Sequence, residues 1–509
     1  MSPKGKLMLI TEKYATSIYG TLSCYDRVIV NGTAGKFGHA GGMTSFFYEK
    51  GLRIFDLAKI FTPITEAIKA NAQKIAEKNG IEIEYIRKSG TFRKDDRIAE
   101  IIKERGSHEG LVHVFSALEL NMTYSPWHDK STGKTFFKND HTKCLHYYFY
   151  FIDRKLGLCF IRVPTIAPFK TTIYFNGHSL LETMLKKQNI KYKKKDNAFT
   201  YIDDFSEAQK LSDSIKVEDI HSAFDAFSAR YCPLPTDWNL HWNYTIGQVE
   251  YSTDIVFKNS EILEPIYENI IKTAMHTVTP DDIANFLGKR LSVLYEGEAG
   301  SRYNKRILGT RIKHQMGEIS VKVYDKFGSV LRIEVTSNNV SKLKTFREVY
   351  KRDGTIEVKM ASVKKSIYSL FSLMQIFKNA TRRYLEFISS FDDPSEGLKK
   401  LDKVVEPVKE NNRNYKGFNF FSKEDEKILV AISDGKFTLK GITNKELRTM
   451  MPDRTPGQLS RILKRLRLHG LIKKVGKTYK YYLSVLGRQV ILAGLQFKNM
   501  SLIPVLARA

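Results

Sequence analysis

Cysteine is scarce in this chain of 509 residues. Only Cys24, Cys144, Cys159 and Cys232 occur, and none forms a C-x-x-C pair. That argues against a disulfide framework and against a zinc ribbon. Long apolar runs are missing too. No stretch of about 18 apolar residues appears, so the sequence offers no membrane-spanning helix. The opening Met-Ser-Pro-Lys-Gly-Lys is not followed by the apolar core and cleavage site of a signal peptide. The expected location is therefore the cytoplasm, in association with the nucleoid. No internal repeat and no long low-complexity tract is visible. Negative charge is also short: 55 acidic residues face 82 Lys and Arg, a formal net charge of +27. After Asp453 there is no Asp or Glu at all. Such a surface repels itself unless it meets a polyanion. Nucleic acid is the first partner to consider, and an anionic membrane surface the second.

What is present suits a folded protein. Hydrophobic residues make up 42% of the chain and aromatic residues 12%, enough to fill cores. The length implies about two to four domains. The pattern reads as α+β. Residues 1–240 form a strand-rich N-terminal part, and 241–393 a central part ending in a helical segment. A polar connector covers 394–417, and 418–509 form a basic C-terminal domain.

The C-terminal domain carries the clearest pattern. Ser422 sits at an N-cap position before the acidic turn Glu424-Asp425-Glu426, where the helix dipole favours negative charge. Asn444 to Met451 is a second short helix, stopped by Pro452. Thr455-Pro-Gly-Gln458 restarts the chain with Pro456 at a tolerated first-turn position. The third helix, Leu459 to Leu468, puts Leu459, Ile462, Leu463 and Leu466 on one face. Arg461, Lys464, Arg465 and Arg467 lie on or beside the other. Leu471 to Val475 and Thr478 to Leu483 then form a hairpin with a basic tip carrying Lys473, Lys474, Lys477 and Lys480. This order of helices and hairpin reads as a winged helix that binds nucleic acid; winged helices also serve as protein-binding modules, so both readings stay open.

Several smaller features carry weaker chemistry. His141, Cys144 and His146, with His128 and Cys159 near in sequence, are metal-ligand types. Their spacing matches no familiar zinc pattern, and packed or surface residues are the simpler reading. Asn31 to Gly42 is glycine-rich, but Phe37 stands where a phosphate-binding loop needs Ser or Thr. It reads as a turn, with contact to a phosphate backbone as the alternative. Lys191-Tyr-Lys-Lys-Lys195 suits either a solvated loop or backbone contact.

Two strands hold carboxylates among apolar neighbours: Gln248 to Phe257, and Ser320 to Val335. Glu250 and Asp254 share a face by strand periodicity, but four residues separate them by about 13 Å. Glu250 with Glu334, on strands expected to be adjacent, is the better pair for Mg²⁺ or Mn²⁺. Asp254 or Asp325 supplies the third oxygen in that reading, and Lys326 offsets charge on a leaving oxygen. The alternative is that these acids pair with Arg332 and Lys322.

The run of leucine-rich basic helix, His469-Gly470-Leu471-Ile472, hairpin and Leu486-Gly487-Arg488 resembles MarR-type winged-helix regulators over about 420–495. Glu250 and Asp254, Val323-Tyr324-Asp325-Lys326 and Arg332-Ile333-Glu334 resemble the rolling-circle replication initiators that bind metal through carboxylates, over about 245–340. That second resemblance implies a nucleophilic tyrosine just before the Tyr-Asp-Lys strand, in a turn rich in Gly, Ser and Lys. Gly309 to Gly317 occupies that place and holds no tyrosine. Tyr303 or Tyr324 would have to serve, with His314 in acid–base chemistry or on a phosphate.

Together these features lead to a nucleic-acid-binding protein, DNA ahead of RNA, in replication initiation or mobile-element strand processing. Divalent-metal-dependent nicking is the enzymatic form of that expectation. Glu334, Lys326, His314 and Tyr324 are its catalytic candidates, and Glu250, Asp254 and Glu334 its metal ligands. No organic cofactor and no membrane is expected, and a homodimer is the expected assembly. The alternative function is a non-catalytic winged-helix regulator, and the third is an RNA-binding protein.

Overall fold

Strict alternation along the strands decides which residues face what. In Trp242–Phe257, Val249, Tyr251, Thr253 and Ile255 point to one side, and Glu250, Ser252 and Asp254 to the other. In Val330–Ser337, Leu331, Ile333 and Val335 share the first side, while Arg332, Glu334 and Thr336 share the second. The apolar side carries the core. The polar side carries the chemistry. The computed structural model describes residues 8–87, 92–291, 295, 297–306, 309–390, 395–435, 437, 441–476 and 478–507.

The chain divides into two compact units, Met1–Asp392 and Asp393–Ala509. The first is built on one sheet of 11 strands. Its strands in chain order are β1 (Ile18–Ala34), β2 (Glu84–Ile86), β3 (Gly110–Asp129), β4 (Lys134–Asp153), β5 (Gly157–Pro164) and β6 (Thr171–Phe175). A separate hairpin, β7 (Tyr192–Lys195) and β8 (Ala198–Ile202), follows. Then come β9 (Trp242–Phe257), β10 (Ala299–Arg306), β11 (Gly309–Met316), β12 (Ile319–Lys326) and β13 (Val330–Ser337). A two-stranded ribbon, β14 (Lys344–Tyr350) and β15 (Ile356–Ser362), ends the series.

The order across the sheet is β10-β11-β12-β13-β9-β1-β6-β5-β4-β3-β2. Read from its centre, the sheet repeats. In each half a long strand leads through helices into a four-stranded antiparallel meander. The meander's last strand returns to pair with the first: β6 on β1, and β13 on β9. A hairpin or ribbon and then a long helix close each half, Val217–Tyr231 in the first and Leu370–Ser389 in the second. β1 and β9 pair antiparallel and join the halves. β2 is the one addition, parallel to β3. The repeat is one of topology, which the residues do not reveal. It also moves the expected boundary at 240/241, because a single core and a single sheet run across it.

Helices cover the apolar side. Leu57–Lys78 buries Phe61, Ile64, Ile68, Ala72 and Ala76, the three- and four-residue spacing of a helical stripe. Leu370–Ser389 does the same with Leu373, Phe377, Tyr384 and Ile388, and its Phe377 lies 6.2 Å from the Tyr251 ring. The aromatic part of β4, residues 145–152, is buried on both faces. Tyr147, Phe149 and Phe151 enter the main core, while Tyr148 and Tyr150 pack with Ile98 and Phe115 on the other side.

The basic part of the second unit holds, in order, the helices Lys423–Ile432, Asn444–Met450, Pro456–Leu468 and Val485–Gln496. A short hairpin, Ile472–Lys474 with Tyr481–Leu483, lies between the last two. Thr455 and Gln458 form a reciprocal capping box at the third helix, with Pro456 at its first turn. Ser422 does stand at the N-cap, but its side chain makes no capping bond. The expected connector 394–417 is structured: it holds the helix Ser395–Val405 and a hairpin, Val408–Glu410 with Arg413–Tyr415. Val404 lies in this unit's core, and His469 Nδ1 is 2.8 Å from the Lys403 carbonyl oxygen. Among the described residues one helical run, Val485–Leu506, is long and apolar enough to cross a membrane by length and composition alone. Only 6% of it is buried.

Candidate functional site

The polar side of the sheet centres on Arg332, a side chain with no solvent exposure. Such a charge is tolerable only when fully paired. Its Nε and Nη2 donate to the two carboxylate oxygens of Asp254, each at 2.6 Å. Its Nη1 reaches Asp26 Oδ2 at 3.3 Å, and Nη2 also donates to the Asn197 carbonyl at 2.6 Å. His178 lies between the two aspartates, with Nδ1 3.3 Å from Asp26 and Nε2 3.6 Å from Asp254. Gly177 makes this possible: a Cβ there would collide with the Tyr25 carbonyl, so only glycine lets the chain pass beneath β1. Burial would raise Asp254, but the Arg332 charge and the neighbouring His178 imidazole outweigh it, and the carboxyl is held below its usual range. Asp26 is lowered in the same way, against its burial, by Arg332 and His178.

Beside this network, Asp26, Glu250 and Glu334 converge, with carboxylate oxygens all within 4.8 Å of one another. The register explains it. Glu334 pairs with Ser252 and Thr336 with Glu250, so Glu250 and Glu334 are diagonal neighbours on adjacent strands. β1 brings Asp26 from the other side of β9. Glu334 accepts from Lys322 Nζ, from Tyr324 Oη at 2.8 Å and from Thr336 Oγ1 at 3.2 Å. Glu250 is less engaged, with Gln248 Nε2 at 3.3 Å and Lys322 Nζ at 3.7 Å. Its carboxyl is raised, first by burial and then by the charge of Glu334. The group thus favours a proton or a cation. The three carboxylates line a cavity of about 800 Å³, together with Arg27, Arg311, Lys322 and Tyr324. Ile98, Ile102, Ile152, Leu158 and Tyr150 form its apolar wall.

The expected ligand pair Glu250 and Glu334 is therefore brought together, but its third member differs. Asp254 is consumed by Arg332. Asp325 is on the other side of β12, where burial raises its carboxyl to about 6. Asp26, which the sequence reading missed, takes the place. Three oxygen donors of this kind suit a hard divalent cation. Lys322 now partly neutralises them and would have to yield to one.

The catalytic candidates separate likewise. Tyr324 faces the site, and its phenol is raised well above its usual value by burial and then by Glu334. Lys326 Nζ pairs with Asp196 at 3.1 Å, and burial lowers its ammonium. His314 does not belong to the site. It is fully buried on the apolar side, 2.7 Å from Ser301 Oγ and 2.9 Å from Tyr384 Oη. Burial holds it down to about 4, so it is neutral at ordinary pH. Tyr303 is on that same side and donates to the Met275 carbonyl at 3.2 Å. The Gly309 to Gly317 segment, expected as a turn, is strand β11.

The other sequence candidates resolve as follows. All four cysteines are free and buried. Cys144 Sγ lies 3.8 Å from His146 Nδ1, and burial lowers that imidazole to about 4. Among the described residues the only cluster with metal-holding geometry is Asp26, Glu250 and Glu334. In the glycine-rich segment, Phe37 is buried in a 3-10 turn and Lys36 pairs with Glu49.

In the second unit, Arg461 and Arg467 are exposed on the helix Pro456–Leu468, as are Lys473, Lys474 and Lys480 on the hairpin. Lys477 lies outside the described residues. Lys464 pairs with Glu410 at 2.6 Å, and Arg467 lies 3.8 Å from the same carboxylate. Arg465 corrects the expectation. It is buried, bonded to both oxygens of Asp425 at 2.7 and 2.9 Å, and donates to the carbonyls of Lys416 and Gly417. Its partners Asp425, Lys416 and Gly417 hold it against the core, although it shares a helix face with the exposed Arg461.

Compared with protein-family models, curated proteins and solved structures, the chain matches none. The functional reading rests on its own residues.

Proposed function

We propose that this chain binds DNA through its C-terminal unit and processes a DNA strand at the carboxylate cluster of its first unit. In this reading the C-terminal unit is a winged helix. Its order of three helices, hairpin and closing helix supports that, as does the cationic exposed side of Pro456–Leu468. Arg461, Arg467, Lys473, Lys474 and Lys480 contact the duplex, while Arg465 holds the helix in place. The observation that carries the enzymatic part is the convergence of Asp26, Glu250 and Glu334 within 4.8 Å in a cavity also lined by Arg311 and Lys322.

Glu250, Glu334 and Asp26 are the residues that would hold Mg²⁺ or Mn²⁺. Such an ion supplies Lewis-acid polarisation of a phosphodiester. Arg311 and Lys322 place positive charge where negative charge develops on the phosphate oxygens. Tyr324 orients Glu334 through its hydrogen bond. The process this serves is replication initiation or mobile-element strand processing.

One observation favours a second reading, a non-catalytic winged-helix regulator. Lys322 already pairs with Glu334, so the cluster is partly satisfied without a metal. Sequencing the nucleic acid that co-purifies with the chain separates the two. Strand processing predicts enrichment of one origin-like or element-end DNA site. A regulator gives palindromic promoter DNA, and a defined transcript as the bound species contradicts both.

A further inference from the structure

Four residues form a row across the open side of the second half-sheet. Arg302 on β10 pairs in register with Lys313 on β11, Lys313 with Lys322 on β12, and Lys322 with Glu334 on β13. Strands lie about 4.8 Å apart, so the row spans roughly 14 Å and ends at the carboxylate cluster. Like charges directly opposite on neighbouring strands are destabilising. Here three cations stand side by side. The row's only acid, Glu334, is taken by Lys322. Among the described residues, neither Arg302 nor Lys313 forms an ion pair with a carboxylate. The Lys313 ammonium is held below its ordinary value, first by burial, then by Lys322, Arg302 and Arg311.

Arg311 adds a second observation. It lies two residues from Lys313, on the same face of β11, and lines the cavity. Its Nε–H is buried with no acceptor. A buried donor without a partner costs stability unless a ligand supplies the acceptor. Phosphate oxygens meet both demands: they neutralise the row and accept from the guanidinium.

We propose that the phosphodiester backbone of a single-stranded nucleic acid lies across β10, β11 and β12 on Arg302, Lys313 and Arg311, with its reacting phosphate at Asp26, Glu250 and Glu334. This rests on the strand-processing reading above and names its substrate. A single strand suits the row better than a duplex. The row runs into a cavity of about 800 Å³ with an apolar wall of Ile98, Ile102 and Tyr150, against which an unpaired base can pack. The row is therefore a track for the strand being processed, separate in role from the duplex contacts of the C-terminal unit.

The test uses the full chain in EDTA, so that no cleavage interferes. Binding of labelled single-stranded DNA, of the matching RNA and of duplex DNA is measured against salt for wild type and for the Arg302→Ala/Lys313→Ala double variant. Removing one cation that neutralises a phosphate flattens the single-strand plot of log K against log salt by about 0.7, so the slope of the double variant is expected to fall by about 1.4. Duplex binding stays unchanged. The strand type that shows the loss identifies its sugar. The Arg302→Lys/Lys313→Arg variant keeps the charges and is expected to keep the wild-type slope, which separates charge from misfolding. An unchanged single-strand slope in the Ala variant overturns the track. If that slope falls while the wild type cleaves nothing with Mn²⁺, the track stands and the chemistry fails. If the wild type cleaves and the Ala variant binds and cleaves equally well, the track fails and the chemistry stands.

Discussion

Arg332 grips Asp254 with two hydrogen bonds of 2.6 Å across the pairing of β13 with β9. Both side chains are sealed from solvent. This pair withdraws Asp254 from metal binding and fixes the platform on which Asp26 and Glu334 stand. Removing one partner of such a pair leaves an uncompensated buried charge, at a cost of about 3–5 kcal/mol. Asp254→Ala is therefore expected to lower the denaturation free energy by that amount. An unchanged midpoint would show that the pair does not secure β13 to β9.

Glu250 behaves in the opposite sense. Its carboxyl is raised by burial and by Glu334, so folding favours its protonated form. The stability it contributes is present below the unfolded carboxyl value and is lost as pH rises through the folded one. Glu250→Gln removes that penalty and is expected to raise the melting temperature at neutral pH without metal. Adding Mn²⁺ at a hundred times its Kd stabilises the wild type by about 2.7 kcal/mol. The variant is expected to lose most of that gain. Equal Mn²⁺ stabilisation of both proteins would remove Glu250 from the cluster's ion-binding set.

His314 predicts a pH effect rather than an activity. Burial holds the folded imidazole at about 4, while the unfolded chain protonates near its usual 6.5. The stability from this group is complete above about 6.5 and falls as pH drops toward 4, by up to about 3 kcal/mol. His314→Gln is expected to flatten part of that acid limb and to leave strand processing intact. Loss of cleavage with a wild-type acid limb would return His314 to the site. His146, also held at about 4, contributes to the same limb.

The third helix of the C-terminal unit carries two kinds of arginine. Arg465→Ala exposes the buried Asp425 charge and is expected to destabilise this unit by about 3–5 kcal/mol. Arg461→Ala is expected to leave stability alone and to flatten the salt dependence of duplex binding by about 0.9. Circular dichroism melts and salt titrations of the two variants read the difference. The reverse pattern would place Arg465, not Arg461, on the DNA.

Much of this was legible in the sequence, and the failures have physical causes. Alternation in β9 and β13 put Glu250 and Glu334 on one face each, and the two strands, expected to be adjacent, do pair. The restart of the chain at Thr455 with Pro456 in the first turn was a local signal, and the helix Pro456–Leu468 begins where it indicates. Asp26 was missed because Ser-Cys-Tyr-Asp-Arg carries no motif, and its meeting with Glu334 depends on pairing between distant strands. β11 was expected to be a turn because the replication-initiator resemblance implies one just before the Tyr-Asp-Lys strand. Gly317 does turn, at φ 59°, but Ile312 and Met316 before it belong to the core. Periodicity placed Arg465 among the exposed bases because it identifies a helix's apolar stripe, not the buried partner awaiting a charge at its edge. The topological repeat leaves no trace in the residues, because β-strand order is set by pairing and by faces, which many sequences satisfy.

The most direct test of the account is a nicking assay on supercoiled, single-stranded and hairpin DNA with Mg²⁺ or Mn²⁺. The wild type is expected to cut one strand only with the divalent ion, and EDTA to stop it. Glu334→Gln is expected to abolish cutting while its DNA affinity and fold remain. Absence of divalent-dependent cleavage on all three substrates, or full cleavage by Glu334→Gln, would contradict the account.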